Sequence, residues 1–238
     1  MNTFKNKYAI VTAVNRNFSR QIIQKITSMG LTGLILADKT INEELIQKIT
    51  TQTGCACHGF EFDITKTQTI EQLFQFALEK FPTVHILINA ANICPTTPLE
   101  ELDAQKWDEC MNINLRGAHL LTKEAIKIMQ AQNYGKIVHI ASIQTSRING
   151  LPPSVSYIVS QGGLITAVKY YAKFYAADNI NINTVSPNFA GMRDAEEEHE
   201  GIKSVAATVG FLISDEAKYI TGANIDVSGR SCYCNRIF

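Results

Sequence analysis

The stretch Gly135–Gly163, GKIVHIASIQTSRINGLPPSVSYIVSQGG, decides how the chain is organised. Lys136 to Ala141 is a short apolar run rich in β-branched residues, as expected of a strand buried on both faces. Pro152 and Pro153 close the loop that follows, and Ser154 or Ser156 is placed to cap a helix. Tyr157, Leu164, Ile165, Val168 and Ala172 then recur at helical spacing. The strand therefore delivers Ser142 at its carboxyl end, and the helix delivers Tyr157 on its first turn.

The same alternation extends in both directions. Strands are expected over Tyr8–Ala13, Gly33–Ala37, Cys55–Glu61, Val84–Asn89, Lys136–Ala141, Asn181–Ser186 and Asn224–Val227. Helices are expected over Gln21–Met29, Asn42–Thr51, Thr67–Lys80, Ala104–Gln132, Ser154–Ala177 and Lys203–Ser214. Such alternation, with no linker, predicts an α/β chain: a three-layer, doubly wound Rossmann fold with a seven-stranded parallel sheet, as one domain over 1–238.

With 238 residues and 45% apolar content the chain can bury one substantial core. Lys+Arg and Asp+Glu balance at 22 each, so no net field draws nucleic acid or an anionic membrane. No apolar run reaches the length of a membrane span and the start carries no signal-type block, which reads as cytosolic. Cysteines 55, 57, 94, 110, 232 and 234 lack zinc or redox spacing and are read as reduced thiols. His58, His85, His119 and His139 show no ligand spacing, and Glu196–Glu200, around His199, reads as a solvated acidic turn.

At Ser142 and Tyr157 the sequence resembles the short-chain dehydrogenase/reductase family, in which a serine ending the fifth strand is followed by a Tyr-x-x-x-Lys helix. Here that helix reads Tyr157-Ile158-Val159-Ser160-Gln161, with glutamine for lysine, and Ser142 precedes Tyr157 by 15 residues. Thr12 to Arg20 aligns with the family's T-G-x-x-x-G-x-G loop, Ala13, Asn17 and Ser19 replacing the glycines. Those glycines permit a tight turn and close approach of backbone N–H groups to a pyrophosphate. Asn17 tolerates positive φ, and Arg16 and Arg20 can pair with phosphate oxygens.

The resemblance implies roles for further residues. Asp38, ending the second strand, matches the carboxylate that accepts the adenosine ribose hydroxyls, which favours NAD over NADP; Arg16 could instead reach a 2′-phosphate. Asp63 matches an adenine contact, with a helix cap as the alternative. Asn89-Ala90-Ala91-Asn92 resembles the N-N-A-G landmark, and Pro187-Asn188 replaces the Pro-Gly beneath nicotinamide. Asn114 matches the asparagine that kinks helix four and anchors a relay water. The implied catalytic set is thus Tyr157, Ser142 and Asn114, with Gln161 in the lysine's place. Thr12, Arg16, Asn17, Asp38, Asp63, Asn89 and Pro187 face NAD or NADP.

In such a reductase, Ser142 hydrogen-bonds the substrate carbonyl and Tyr157 donates a proton as hydride arrives. A lysine charge about 4.5 Å away, at an effective dielectric of about 20, is worth roughly 3 to 4 kcal/mol. Gln161 lacks that charge, so Tyr157 is expected near its reference pKa of about 10. Asn188 to Ile220 spans only 33 residues, which implies a trimmed substrate lid at about 188–203. The expected activity is reduction of a 3-oxoacyl or small-molecule ketone with NAD(P)H. One alternative is a cofactor-independent isomerase, dehydratase or cyclase using Ser142 and Tyr157 for proton transfer, the dinucleotide site being lost. Another is a non-catalytic binding or assembly subunit. Relatives pair through helices four and five and the final strand, implying a homodimer or homotetramer acting on a small-molecule or carrier-bound substrate.

Overall fold

The computed structural model describes residues 3–142, 153–188 and 195–229. Strands β1 (Tyr8–Thr12), β2 (Gly33–Asp38), β3 (Ala56–Glu61), β4 (Ile86–Asn89), β5 (Gly135–Ile140), β6 (Ile180–Pro187) and β7 (Asn224–Val227) form one sheet. Its order is β3-β2-β1-β4-β5-β6-β7, and every adjacent pair is parallel. The helices are α1 (Asn17–Ser28), α2 (Glu43–Thr53), α3 (Thr67–Lys80), α4 (Ala104–Met111), α5 (Ala118–Ala131), α6 (Val155–Tyr175) and α7 (Ala195–Leu212).

Side-chain alternation in the strands divides the core into two layers. Leu34 and Leu36 of β2 face the layer filled by Ile22 and Ile26 of α1 and Val205 and Val209 of α7. Ile35 and Ala37 face the other, filled by Leu73 of α3, Leu121 and Ala125 of α5, and Leu164 and Val168 of α6. The central strands β1, β2 and β4 are mostly apolar because both faces are covered, whereas β5 and β6 also bury polar residues such as His139 and Asn183. Local signals set several ends: Asn42 caps α2 by accepting the Leu45 N–H at 3.0 Å, and Gly54 closes it at φ 70.

Three departures from the sequence expectation bear on function. The helix expected over Ala104–Gln132 is broken into α4 and α5 by a π-helical turn, Asn112–Gly117. Asn114 Oδ1 accepts the Ile93 N–H (2.8 Å) and its Nδ2 donates to the Ile93 carbonyl (2.9 Å), a tie that holds the widened turn. Gly117 allows the turn to lie against the chain after β3, since a Cβ there would stand 2.9 Å from the Ile64 carbonyl oxygen.

Helix α1 starts at Asn17 rather than Gln21, and α7 starts at Ala195 rather than Lys203. The acidic run is therefore helical, not a turn. Carboxylates are favoured near the unpaired N–H groups of a helix start, and Glu200 pairs with Lys203 at 2.8 Å. Pro152, positions 189–194 of the expected lid, Arg230, Cys232 and Cys234 lie outside the described residues.

Candidate active site

Strands β1 and β4 are neighbours, and the chain winds outward from them in opposite senses, so the loops leaving their carboxyl ends part and form a crevice. Hydrogen bonds stitch its floor. Thr12 Oγ1 donates to Asn89 Oδ1 at 2.7 Å and accepts the Ala90 and Ala91 N–H groups at 3.1 and 3.3 Å. Behind them Asn89 Nδ2 meets His139 Nδ1 at 3.2 Å, and His139 Nε2 lies 2.9 Å from Thr122 Oγ1. The Thr122 hydroxyl donates to the Ala118 carbonyl at 2.8 Å, so its oxygen accepts from His139 Nε2–H and leaves Nδ1 to accept from Asn89. His139 is wholly buried, and burial lowers its pKa to about 4. Thr12 and Asn89 thus hold the crevice floor.

The loop after β1 retains a left-handed turn without glycine. That turn falls on Ala13 (φ 55), whose N–H donates to the Ala37 carbonyl at 2.9 Å. Asn17, read as the residue tolerant of positive φ, is instead the first residue of α1. Asp38 is fixed at the crevice edge, accepting the Asn15 N–H (3.0 Å) and the Lys39 N–H (2.8 Å). Arg16 reaches across to the loop after β4, donating to Asn92 Oδ1 at 3.0 Å and to the Asn92 carbonyl. Arg20 is exposed on α1. Asp63 accepts the Thr65 N–H and hydroxyl, at 3.0 and 2.8 Å, closing the turn into α3.

Ser142 and Tyr157 come together as the strand-to-helix reading anticipates. They line a cavity of about 240 Å³ with Arg16, Asn92, Cys94 and Asn188. Pro187, at the end of β6, lines it too. The Ser154 N–H donates to the Pro95 carbonyl at 2.8 Å, which seats the start of α6 against the chain after β4. The serine hydroxyls make no side-chain cap; Ser154 and Ser156 bond each other at 2.7 Å, and the turn closes through the Tyr157 N–H to the Ser154 carbonyl (2.9 Å).

Burial pushes the Tyr157 phenol up to about 12; the Ser142 hydroxyl bonded to it and the Arg16 charge pull downward, while Cys94 adds to the rise. The expectation of a near-reference phenol was too low because it left out desolvation. Tyr157 therefore keeps its proton at neutral pH. Asn114 is buried, with its amide committed to Ile93 and also reaching Ser160 Oγ at 3.0 Å and Cys110 Sγ at 3.3 Å. Its side chain positions the segment after β4.

Gln161, one turn beyond Tyr157, is wholly buried, and among the described residues neither its amide atoms nor the buried Ser19 hydroxyl finds a hydrogen-bond partner. A buried polar group left unpaired costs about 1 to 3 kcal/mol, so a bound partner at these atoms would be stabilising. Ser19 stands where the resemblance puts a glycine of the pyrophosphate loop, and Gln161 where it puts the catalytic lysine. With Asp38 and the preserved turn at Ala13, the residues present fit a dinucleotide. Sequence reasoning missed Cys94, read as an ordinary thiol although it lies only five residues beyond Asn89. It also missed the Asn92 clasp, which takes shape only when the loops after β1 and β4 meet.

The family model for short chain dehydrogenase matches residues 7–201. The chain is 29% identical over 241 residues to the 3-oxoacyl-(acyl-carrier-protein) reductase FabG of Haemophilus influenzae, covering 94% of this chain and 98% of that one. It is 29% identical over 253 residues to the 7alpha-hydroxysteroid dehydrogenase of Bacteroides fragilis, covering 96% and 95%. A Sinorhizobium meliloti protein of solved structure, assigned to the short-chain alcohol dehydrogenases, superposes with a TM-score of 0.85 at 25% identity, covering 96% and 97%. Sheet order, a serine and tyrosine meeting beyond β5, and a family match over most of the length agree: the chain belongs to the short-chain dehydrogenase family.

Proposed function

We propose that the protein reduces the carbonyl of a 3-oxoacyl or other ketone substrate, using a reduced nicotinamide dinucleotide. The observation that carries this reading is the pairing of Ser142 with a protonated, buried Tyr157 in one cavity at the carboxyl end of β5. A 3-oxoacyl reductase and a hydroxysteroid dehydrogenase among the relatives support it.

Bound dinucleotide would supply hydride to the carbonyl carbon. Asp38 would take its adenosine ribose and would repel a 2′-phosphate, which favours NAD over NADP. Gln161 and Ser19 would gain the partners they lack. Arg16 is exposed, so exchanging Asn92 for a phosphate oxygen costs little net hydrogen bonding. The Ser142 hydroxyl donates to the carbonyl oxygen, and Tyr157 gives up its proton there as negative charge develops. Without a lysine to acidify it, Tyr157 is present at neutral pH in the protonated form that reduction needs and hardly at all as the phenolate that alcohol oxidation needs.

The cavity takes the reacting end of a substrate, small or carrier-bound. Tyr170 and Phe174 on α6 are 61% and 55% exposed, which supports association of copies into a homodimer or homotetramer. No helix among the described residues is long and apolar enough to cross a membrane, in keeping with a cytosolic assignment.

Calorimetric titration with NADH and NADPH, followed by nucleotide oxidation in the presence of an acetoacetyl thioester, tests the reading. Saturable binding is expected, with turnover reduced about 100-fold or more in Tyr157→Phe. No binding of either nucleotide at millimolar concentration would overturn it. Nucleotide-free turnover abolished by Ser142→Ala would identify proton transfer alone as the chemistry.

A further inference from the structure

Cys94 is pinned from both sides. Asn114 holds the backbone of Ile93 through two hydrogen bonds, 2.8 and 2.9 Å, and the Ser154 N–H holds the Pro95 carbonyl at 2.8 Å. Both clamps are tied to Tyr157's helix: Asn114, in the π turn, is bonded to Ser160 of α6, and Ser154 precedes the first residue of α6. The thiol between them lines the Ser142–Tyr157 cavity and interacts with the Tyr157 hydroxyl, yet Cys94 is exposed to solvent. Gln161, by contrast, is wholly buried and has no ionisable proton to pass on.

We infer that Cys94 returns a proton to Tyr157 after each reduction, acting through the phenol as a relay to solvent in place of a lysine-led route. This rests on the reductase reading above. In the reaction, the Tyr157 O–H bond breaks as its proton forms the O–H of the product alcohol. The Cys94 S–H bond then breaks, its proton re-forming the phenol, and the thiolate takes a proton from water or a buffer acid. The contact between the two groups lowers the Cys94 thiol and raises the Tyr157 phenol, which directs the proton from sulfur to the phenolate oxygen. The groups facing Cys94 are Tyr157 on α6, Cys110 on α4 and Arg16 on the loop after β1; partial burial, first, and Cys110 raise the thiol overall, while Tyr157 and Arg16 draw it down.

The experiment is steady-state reduction by Cys94→Ala and Cys94→Ser at increasing imidazole concentration. Both variants should lose about tenfold in kcat with KM within about twofold, and imidazole should restore the Cys94→Ala rate, as expected when an external acid replaces a missing proton donor. Serine keeps the shape but is too weak an acid, so a Cys94→Ser enzyme as fast as the parent would overturn the relay. So would a loss below about threefold in Cys94→Ala. A parent that reduces no carbonyl sinks the reductase reading and the relay together, whereas an active parent with an indifferent Cys94→Ala sinks the relay alone. A second readout needs no turnover: the pH profile of Cys94 alkylation, followed by peptide mass, should move upward by about half a unit or more in Tyr157→Phe. An unmoved profile would overturn the coupling on which the relay depends.

Discussion

Protonation of His139 should destabilise the fold in mild acid, and the size of the effect follows from its surroundings. The neutral ring is fully engaged: Nε2–H donates to Thr122 and Nδ1 accepts from the Asn89 amide. A second ring proton would oppose the Asn89 N–H, inside a site with no exposed surface. The folded pKa is about 4, depressed by burial from 6.5. Between those values the unfolded chain binds a proton that the folded chain does not, so unfolding free energy rises with pH across the window. The contribution is fully present above 6.5 and is lost as pH falls toward 4.

A shift of that size corresponds to about 3 kcal/mol in all, of which about 2 kcal/mol falls between pH 7 and pH 4.5. His139→Gln removes the titration and retains a donor and an acceptor. Urea unfolding followed by far-UV circular dichroism at pH 7 and pH 4.5 should show the parent losing about 2 kcal/mol more than the variant across the interval. His85, also lowered to about 4 by burial and the nearby Lys7 charge, titrates in both proteins and cancels in the comparison. Equal losses, within about 0.5 kcal/mol, would refute the assignment of a buried neutral His139 to this pH dependence.

Three further outcomes are expected. Ala13→Gly should raise Tm by about 2 °C, because alanine at φ 55 carries about 1 kcal/mol of left-handed strain, partly offset by the entropy of glycine in the unfolded chain; a fall in Tm would count against strain at that turn. Gln161→Leu should stabilise the ligand-free protein by about 1 kcal/mol while weakening NADH binding, since it deletes two unpartnered buried atoms that the dinucleotide would engage. Unchanged NADH affinity by calorimetry would remove Gln161 from the binding site. Gly117→Ala should cost about 1 to 3 kcal/mol by urea unfolding, its Cβ being forced to 2.5 Å from Ile64 Cγ1 and 2.9 Å from the Ile64 carbonyl oxygen; a neutral result would mean that the π turn and the chain after β3 can part.

Much of the architecture is local in origin. Helix α3 spans Thr67–Lys80 and β7 spans Asn224–Val227, as apolar spacing alone indicates. The positions of Ser142 and Tyr157 follow from where a buried strand ends and a helix begins. The break at Asn112–Gly117 was foreshadowed by resemblance at Asn114, but the cause, a clasp on Ile93, joins residues 21 apart in sequence. The helical start of α7 was missed because an acidic run satisfies both a solvated turn and a helix N-terminus, and sequence pattern does not rank the two.

By itself the sequence determined the strand–helix alternation, the parallel sheet it builds, and the residues delivered to the sheet's carboxyl edge, because periodicity and turn chemistry act over a few neighbours. Tertiary structure alone decided that Ala13 carries the left-handed turn, that Gln161 has no partner among the described residues, that His139 locks Asn89 beneath the crevice, and that Cys94 and Tyr157 line one cavity. Each of these depends on desolvation or on a hydrogen bond between distant segments. Such terms take their value only when the β1, β4 and β5 ends and helix α6 are packed around one cavity, and that packing raises Tyr157 to about 12 and keeps its proton in place at neutral pH.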